Sequence, residues 1–448
     1  MKDWYLCLIS NLRMSWMLVT FLVILRISYE VVALISSEEH KHYLILIKIG
    51  VYTMLYLGID IAKHKHYASI MDSNGNPLEK PFPVYNHRKG GQALLTKIYQ
   101  HIDAPTEIKI GMEATGHYWL ALYSFLLDHG FSVIVLNPIQ TNAWRKGTEI
   151  RKRKTDAIDA TMIADIIRFG NFLETPLVDE KMFALKQLSR FRNSLVSSMG
   201  DLKRKSLVVL DQTFPEYQKM FSDVFGKTSA KLLLEYASPS DYEQVSIDDL
   251  TQIIEQASRN RLGKEKAHQI IESASHSFGI TFGKEAFSFQ LKMLMEQIHF
   301  IEIQLKQCEE QMDQLLIELD TPITTVPGIG PILGATILGE IGDIKRFDKP
   351  SKLVAYAGID ASVSQSGQYN STSMSISKRG SSHLRRALFQ AAITGYKYDP
   401  ILKAFYEKKK QQGKHYYVCI CALARKLCHI IYAILKNNKP YKVPIHTA

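Results

Sequence analysis

The chain has 448 residues, of which 46% are hydrophobic and 22% charged, and its formal net charge is +11. This is the balance of a soluble globular protein of two or three domains, and the positive excess favours a polyanionic partner, nucleic acid before an anionic membrane surface. The cysteines are odd in number and irregular in spacing (Cys7, Cys308, Cys419, Cys421, Cys428), which argues against a disulfide framework and for a reducing compartment. Cys419 and Cys421 lack the spacing of a zinc knuckle, so these thiols read as helix-packing residues.

Residues 14–25 are apolar and end at Arg26. A membrane span needs about 20 such residues, and no small-residue cleavage pattern follows. Residues 1–53 therefore read as an extension, with the functional chain starting near Met54 and no stable membrane partner. From there the pattern becomes regular. An apolar run at 55–62 carries Asp60 near its end. A second β-like run at 66–71 leads into the Asn-Gly turn chemistry of 72–76, and a third extended piece follows at 82–85. A helix over 91–99, a strand over 107–113 ending in Glu113, a helix over 117–128 and a strand over 132–136 complete a mixed sheet with helices, closed by Asn137-Pro138.

Arg151, Lys152, Arg153 and Lys154 run into Thr155, Asp156 and Asp159, and a helical apolar pattern follows (Ala160, Ile163, Ala164, Ile167). Residues three apart on a helix lie about 60° apart around its axis, so Asp156 and Asp159 share a face, while Asp165 falls on the opposite, solvated one. Taken alone, the two acids complement the helix dipole behind a Thr155 N-cap. Beside Asp60 and Glu113 they make a set of carboxylates at element ends, and such clusters bind hard divalent cations through oxygen for phosphodiester chemistry.

The segments Gly58-Ile59-Asp60, Met112-Glu113-Ala114-Thr115-Gly116 and Lys154-Thr155-Asp156-Ala157-Ile158-Asp159-Ala160 resemble those of the DEDD transposases of the insertion sequence 110 family. The resemblance implies an α/β RNase H-like (RuvC-type) catalytic domain at 54–178. It makes Asp60, Glu113, Asp156 and Asp159 both catalytic and metal ligands for Mg²⁺ or Mn²⁺.

Residues 179–320 turn helical, with a break at Phe214-Pro215-Glu216. Within 287–319 a heptad pattern places Leu291, Leu294, Ile298, Ile301, Leu305, Cys308, Met312, Leu315 and Leu319 on a and d. Two readings stand: a helical hairpin packing on its own domain, and the dimerising coiled coil that the family places between its domains. In the mainly α region 321–448, Val326-Pro327-Gly328-Ile329-Gly330-Pro331 before a helix reads as a plain helix–helix turn or as a helix-hairpin-helix element. In the second case the backbone at Gly328 and Gly330 would face a phosphate.

Ala355-Tyr356-Ala357-Gly358-Ile359-Asp360, Ser364-Gln365-Ser366-Gly367 and the stretch from Ser377 to Arg386 resemble the family's C-terminal transposase domain. The chemistry of the residues does not choose among Ser364, Ser366 and Ser371. The family pattern selects Ser366 as the catalytic nucleophile, and the charge of the nearby Lys378, Arg379, Arg385 and Arg386 suits them to hold the scissile phosphate. The resemblance implies a cytoplasmic, nucleoid-associated homo-oligomer, dimer or tetramer, that cuts and rejoins the DNA of its own element under a structured guide RNA. Two alternatives stand beside it: a metal-only endonuclease of Holliday-junction type, and an inert nucleic-acid-binding protein.

Overall fold

The computed structural model describes residues 31–36, 42–47, 54–148, 155–170, 172, 179–361, 365–366, 369–370 and 375–443. The apolar stretch 14–25, Cys7, Arg151 to Lys154, Ser364 and Ser371 lie outside the described residues, and of Ser366 only the backbone is described. The chain forms two compact units, 1–177 and 178–448.

In the first unit, β1 (Val31–Ser36) and β2 (His42–Ile47) pair antiparallel as a sheet of their own, where the sequence reading placed only an extension. The main sheet holds β3 (Leu55–Asp60), β4 (Lys65–Met71), β5 (Phe82–Tyr85), β6 (Ile108–Glu113) and β7 (Val133–Leu136). Its order is β5-β4-β3-β6-β7, with β3, β4 and β5 antiparallel and β3, β6 and β7 parallel. A three-strand meander followed by two parallel crossovers is the RNase H-like arrangement. Helices α1 (Arg88–Ile98) and α2 (Trp119–Asp128) make the crossovers, and α3 (Pro138–Thr148) and α4 (Asp156–Phe169) follow β7.

Strand alternation sorts the side chains between two cores. Leu55, Leu57, Ile59, Ile108, Ile110, Met112, Val133 and Val135 point to one face and pack with Leu94 and Ile98 of α1 and Leu122 and Leu126 of α2. Ile134, Leu136 and the partly buried Tyr56 point to the other, against Met162, Ile163, Ile166 and Ile167 of α4. On this second face the strands carry glycine where α4 crosses. A Cβ at Gly58 would stand 2.1 Å from the Ala160 carbonyl oxygen and 2.3 Å from the Ala164 nitrogen, and one at Gly111 would stand 2.8 Å from Ile167 Cγ2. The helix backbone therefore lies directly on the β3 backbone. Asp165 holds Arg168, at 2.8 Å, instead of being merely solvated, and Arg168 Nη1 also donates to the Ser73 carbonyl of the β4–β5 turn.

The second unit is built on two long helices, α5 (Glu180–Thr213) and, after five short ones, α11 (Lys284–Glu318). The short helices are α6 (Tyr217–Met220), α7 (Lys227–Glu235), α8 (Pro239–Gln244), α9 (Ile247–Ser258) and α10 (Lys264–Ser275). Lys181 meets Glu318, the Leu188 carbonyl meets the Cys308 thiol and Arg192 meets Glu309, so α5 and α11 run antiparallel. At 1.5 Å rise per residue each is about 50 Å long. Heptad positions Leu291, Leu294, Ile298, Leu305, Cys308 and Met312 are all buried within this unit. This is the packing of a hairpin on its own domain, and the exposed apolar side chains of α11 are others: Phe289, Phe300, Ile303 and Ile317.

The two ends of this helix pair belong to different cores. One end packs with the short helices around Phe214, Tyr217, Leu232, Tyr242, Leu250 and Ile270. The other packs with α12 (Pro331–Ile341), α13 (Pro350–Ala357), α14 (Ser382–Tyr398), α15 (Pro400–Gln411) and α16 (Tyr416–Asn437). Cys419 and Cys428 of α16 are buried as packing residues, and burial pushes the Cys428 thiol up to about 12. Between α13 and α14 a short hairpin forms from β8 (Gln365–Ser366) and β9 (Tyr369–Asn370).

Gly58→Ala should destabilise the protein by about 3 kcal/mol, the upper end of the overpacking range, because backbone atoms cannot move aside as a side chain would. Gly147→Ala, where no atom stands within 4 Å, should be neutral or stabilising by up to about 1 kcal/mol. Thermal unfolding of the two variants against wild type measures the difference.

Candidate active site

The alternation that puts Gly58 and Gly111 under α4 also sets the acids. Asp60 and Glu113 lie two residues beyond these glycines, on the same sheet face. The parallel register pairs Gly58 with Gly111 and Ile59 with Met112, so the two acids leave adjacent strand ends side by side. Where α4 crosses β3, Ala160 sits over Gly58, which brings Asp159 and the first turn of α4 to that same edge. Thr155 caps the helix by accepting the Ile158 N–H at 3.3 Å. Asp159 is 5% exposed, while Asp156 faces solvent.

Helix α3, absent from the sequence reading, ties two of these acids together. Pro138 reads as a stop after a strand, but it is the first residue of the helix, the position where proline's fixed φ and missing N–H cost nothing. Thr141 donates its hydroxyl to Glu113 Oε2 at 2.7 Å, and Thr115 donates to Oε1 at 3.2 Å. One turn later, Arg145 Nη2 donates to Asp159 Oδ1 at 2.8 Å. Residues four apart on a helix have Cβ atoms about 5–6 Å apart, so Glu113 and Asp159 are gripped by neighbouring positions of one helix face.

The donor set is all carboxylate, the chemistry a hard divalent cation takes, and it gathers at one sheet edge. As the side chains stand, no three His, Cys, Asp or Glu among the described residues converge on a common point, and the charge of Asp159 is answered by Arg145. The residues fit a divalent ion in kind, and in this structure a guanidinium holds one of them.

In the second unit, the segment after β9 is zipped back along the end of α13. Ser377 N–H donates to the Asp360 carbonyl at 2.9 Å, Lys378 N–H to Gly358 at 3.1 Å and Ser381 N–H to Tyr356 at 2.8 Å. The Ser377 hydroxyl donates to the Asp360 carboxylate. Ser366, paired with Tyr369, thus belongs to a hairpin closed at its base. Lys378 and Arg379 are exposed at that base, and Lys378 takes a positive φ of 53°. Arg385 instead caps the end of α13, its Nη1 donating to the Ala357 carbonyl at 3.2 Å.

Beneath the hairpin lies a buried charge that the sequence did not reveal. Glu340 of α12, 1% exposed, accepts from Arg190 Nε at 2.7 Å and from the Ser381 hydroxyl at 2.7 Å. Burial pushes its carboxyl up, but the Arg190 and Ser381 hydrogen bonds outweigh that and hold it below the usual range. Gly328 has a packing role as well. At φ +88° it presses on α14, where a Cβ would stand 2.5 Å from the Gly395 nitrogen, so close helix packing requires glycine there. Gly330, at the N-terminus of α12, is exposed, with nothing within 4 Å of where a Cβ would stand.

Residues 57–215 match the family model described as "Transposase", that of the DEDD transposases of IS110, and residues 320–407 match "Transposase IS116/IS110/IS902 family". The chain belongs to the insertion sequence 110 family of transposases. It is an enzyme of the DNA-cleaving and rejoining class. Across its length the transposase is similar to the 44.8 kDa protein of insertion element IS116 of Streptomyces clavuligerus, at 22% identity over 86% of this chain and 95% of the relative. It is similar to the pilin gene-inverting protein of Moraxella bovis, at 25% identity over 87% of this chain and 98% of the relative. Among solved structures, T. thermophilus RuvC in complex with a Holliday junction substrate aligns with 27% of this chain and 99% of its own, at 14% identity and a TM-score of 0.21.

Glu340→Gln should destabilise the transposase by about 2 kcal/mol, below the usual cost of breaking a buried pair, because the Arg190 side chain remains 44% exposed. A carboxyl held low in the folded state stabilises fully above its unfolded value, about 4.3, and loses that contribution as pH falls through the lower folded value. Unfolding midpoints measured from pH 6 to pH 3 should therefore fall less steeply for Glu340→Gln than for wild type.

Proposed function

We propose that this transposase cuts and reseals the DNA of its own insertion element with Ser366 as nucleophile and Asp60, Glu113, Asp156 and Asp159 as ligands of Mg²⁺ or Mn²⁺. The observation that supports the metal half is the pair of Gly-x-acid strand ends under α4, which delivers Asp60, Glu113 and Asp159 to one edge. A divalent cation bound there would supply charge stabilisation to the non-bridging phosphate oxygens. Ser366 Oγ bonds to phosphorus as its proton passes to solvent, and the P–O bond to the departing sugar oxygen breaks as that oxygen takes up a proton, leaving a protein–DNA phosphodiester. A strand hydroxyl then attacks the same phosphorus and Ser366 leaves with a proton restored. Lys378 and Arg379 answer the charge of the phosphate.

Arg151 to Lys154, next to the acid-bearing turn in sequence, and Gly330 serve as backbone contacts to nucleic acid. Recognition runs through a structured RNA encoded by the element, and the acting form is a homo-oligomer in the cytoplasm at the nucleoid. The catalytic domain spans 54–178, the helical region 179–320 and the serine-bearing domain 321–448.

With Ser366→Ala, the covalent protein–DNA adduct trapped in denaturing gels should vanish. An adduct that persists would exclude Ser366, and cleavage without any adduct in wild type would favour the metal-only endonuclease. Asp159→Asn should reduce cleavage by at least about a hundredfold while leaving DNA affinity within a few-fold, consistent with loss of a transition-state contact and not of a binding one. Neutralising Arg151 to Lys154 should weaken binding and lower the slope of log affinity against log salt by up to about four.

A further inference from the structure

Arg145 sits where the metal-site reading has no place for it. Its Nη2 is 2.8 Å from Asp159 Oδ1, and both side chains are largely withdrawn from solvent, at 23% and 8% exposure. A buried carboxylate without counter-charge is costly, and the Arg145 guanidinium offsets that cost for Asp159. The same guanidinium occupies an oxygen that a divalent ion held by Asp159 would compete for. Its own hydrogen bonding is incomplete: Nε is buried and, among the described residues, meets no acceptor. Guanidinium forks are completed by oxyanions that take two parallel N–H groups, and the Nε half of this fork is unmet until the side chain turns outward.

We propose that Arg145 is an exchangeable counter-charge: it neutralises Asp159 in the metal-free protein, yields that carboxylate to the divalent cation, and then binds a DNA phosphate. This rests on Asp159 being a metal ligand. Arg145 lies on α3 one turn from Thr141, which holds Glu113, so a released guanidinium remains at the acid edge, and the length of the side chain lets it turn outward without unfolding the helix. Two cations do not share one carboxylate cheaply, so metal loading is what frees Arg145. Phosphate grip at this position then follows loading and does not precede it. Arg145 is in this sense a positioning residue that couples two binding events.

The test uses the full chain and Mn²⁺ alone, with free Mn²⁺ read by electron paramagnetic resonance and folding by thermal unfolding. Arg145→Gln should bind Mn²⁺ at about tenfold lower concentration than wild type, the effect of removing one competing like charge. Its metal-free form should unfold at lower temperature than wild type, with the gap closing at saturating Mn²⁺. A variant that folds only with Mn²⁺ present is the same result at its limit, while one that fails to fold with or without Mn²⁺ overturns the exchange.

Asp159→Asn separates the two levels. If it binds Mn²⁺ as wild type does, the metal reading is wrong and the exchange falls with it. If binding depends on Asp159 but Arg145→Gln is no tighter than wild type, only the exchange is wrong. DNA binding supplies the second arm. Without divalent ions, wild type and Arg145→Gln should bind a short duplex equally. In Ca²⁺, the slope of log affinity against log salt should be about one unit steeper for wild type. A difference already present without Ca²⁺, or none in its presence, overturns the coupling.

Discussion

The first unit depends on a helix backbone lying directly on strand backbones. Helix α4 reaches that depth only because β3 and β6 carry Gly58 and Gly111 where it crosses. Two consequences follow from the one contact. The second face of the sheet is sealed by Met162, Ile163, Ile166 and Ile167, and the first turn of the helix is fixed at the strand edge where Asp60 and Glu113 emerge. Stability and placement of the acids are therefore the same interaction. Alternation along a strand makes this compact in sequence: a glycine that yields to the helix, an apolar residue facing the opposite core, then an acid at the edge.

Both units solve the problem of a withdrawn carboxylate in the same way. Asp159 is held by an arginine from a neighbouring helix, and Glu113 by two threonine hydroxyls. Glu340 takes an arginine from α5 and a serine hydroxyl from the start of α14. The difference lies in access. Glu340 is fully covered and its partners lock the base of the hairpin to the long helix, whereas of the acids at the sheet edge only Asp159 is buried, and Asp60, Glu113 and Asp156 keep some exposure.

The second unit is organised around the antiparallel pair α5 and α11. A heptad seam by itself says only that a helix has an apolar stripe, and here α5 supplies a partner within the same chain, while the ends of the seam are absorbed into two cores. Gly328 belongs to the same packing logic, since its backbone lies against α14, while Gly330 has open space at the start of α12.

Strand and helix periodicity, turn glycines and the acids at element ends were legible from the residues, because local chemistry decides them. The meander, the two crossovers and the Thr155 cap are all visible in that way. Helix α3 was hidden, since Asn137-Pro138 reads equally as a strand stop and as a helix start, and its polar pattern carries little apolar period. With it were hidden Thr141 and Arg145, and likewise Glu340, whose partners Arg190 and Ser381 lie 150 and 41 residues away. Those pairings depend on which surfaces meet after folding, and a sequence holds no local mark of the distant group that will satisfy a buried charge. The chain by itself determined that acids stand at the ends of its strands and at the start of a helix. Only the tertiary structure decided that three of them share an edge, and that an arginine from an unforeseen helix holds one of them.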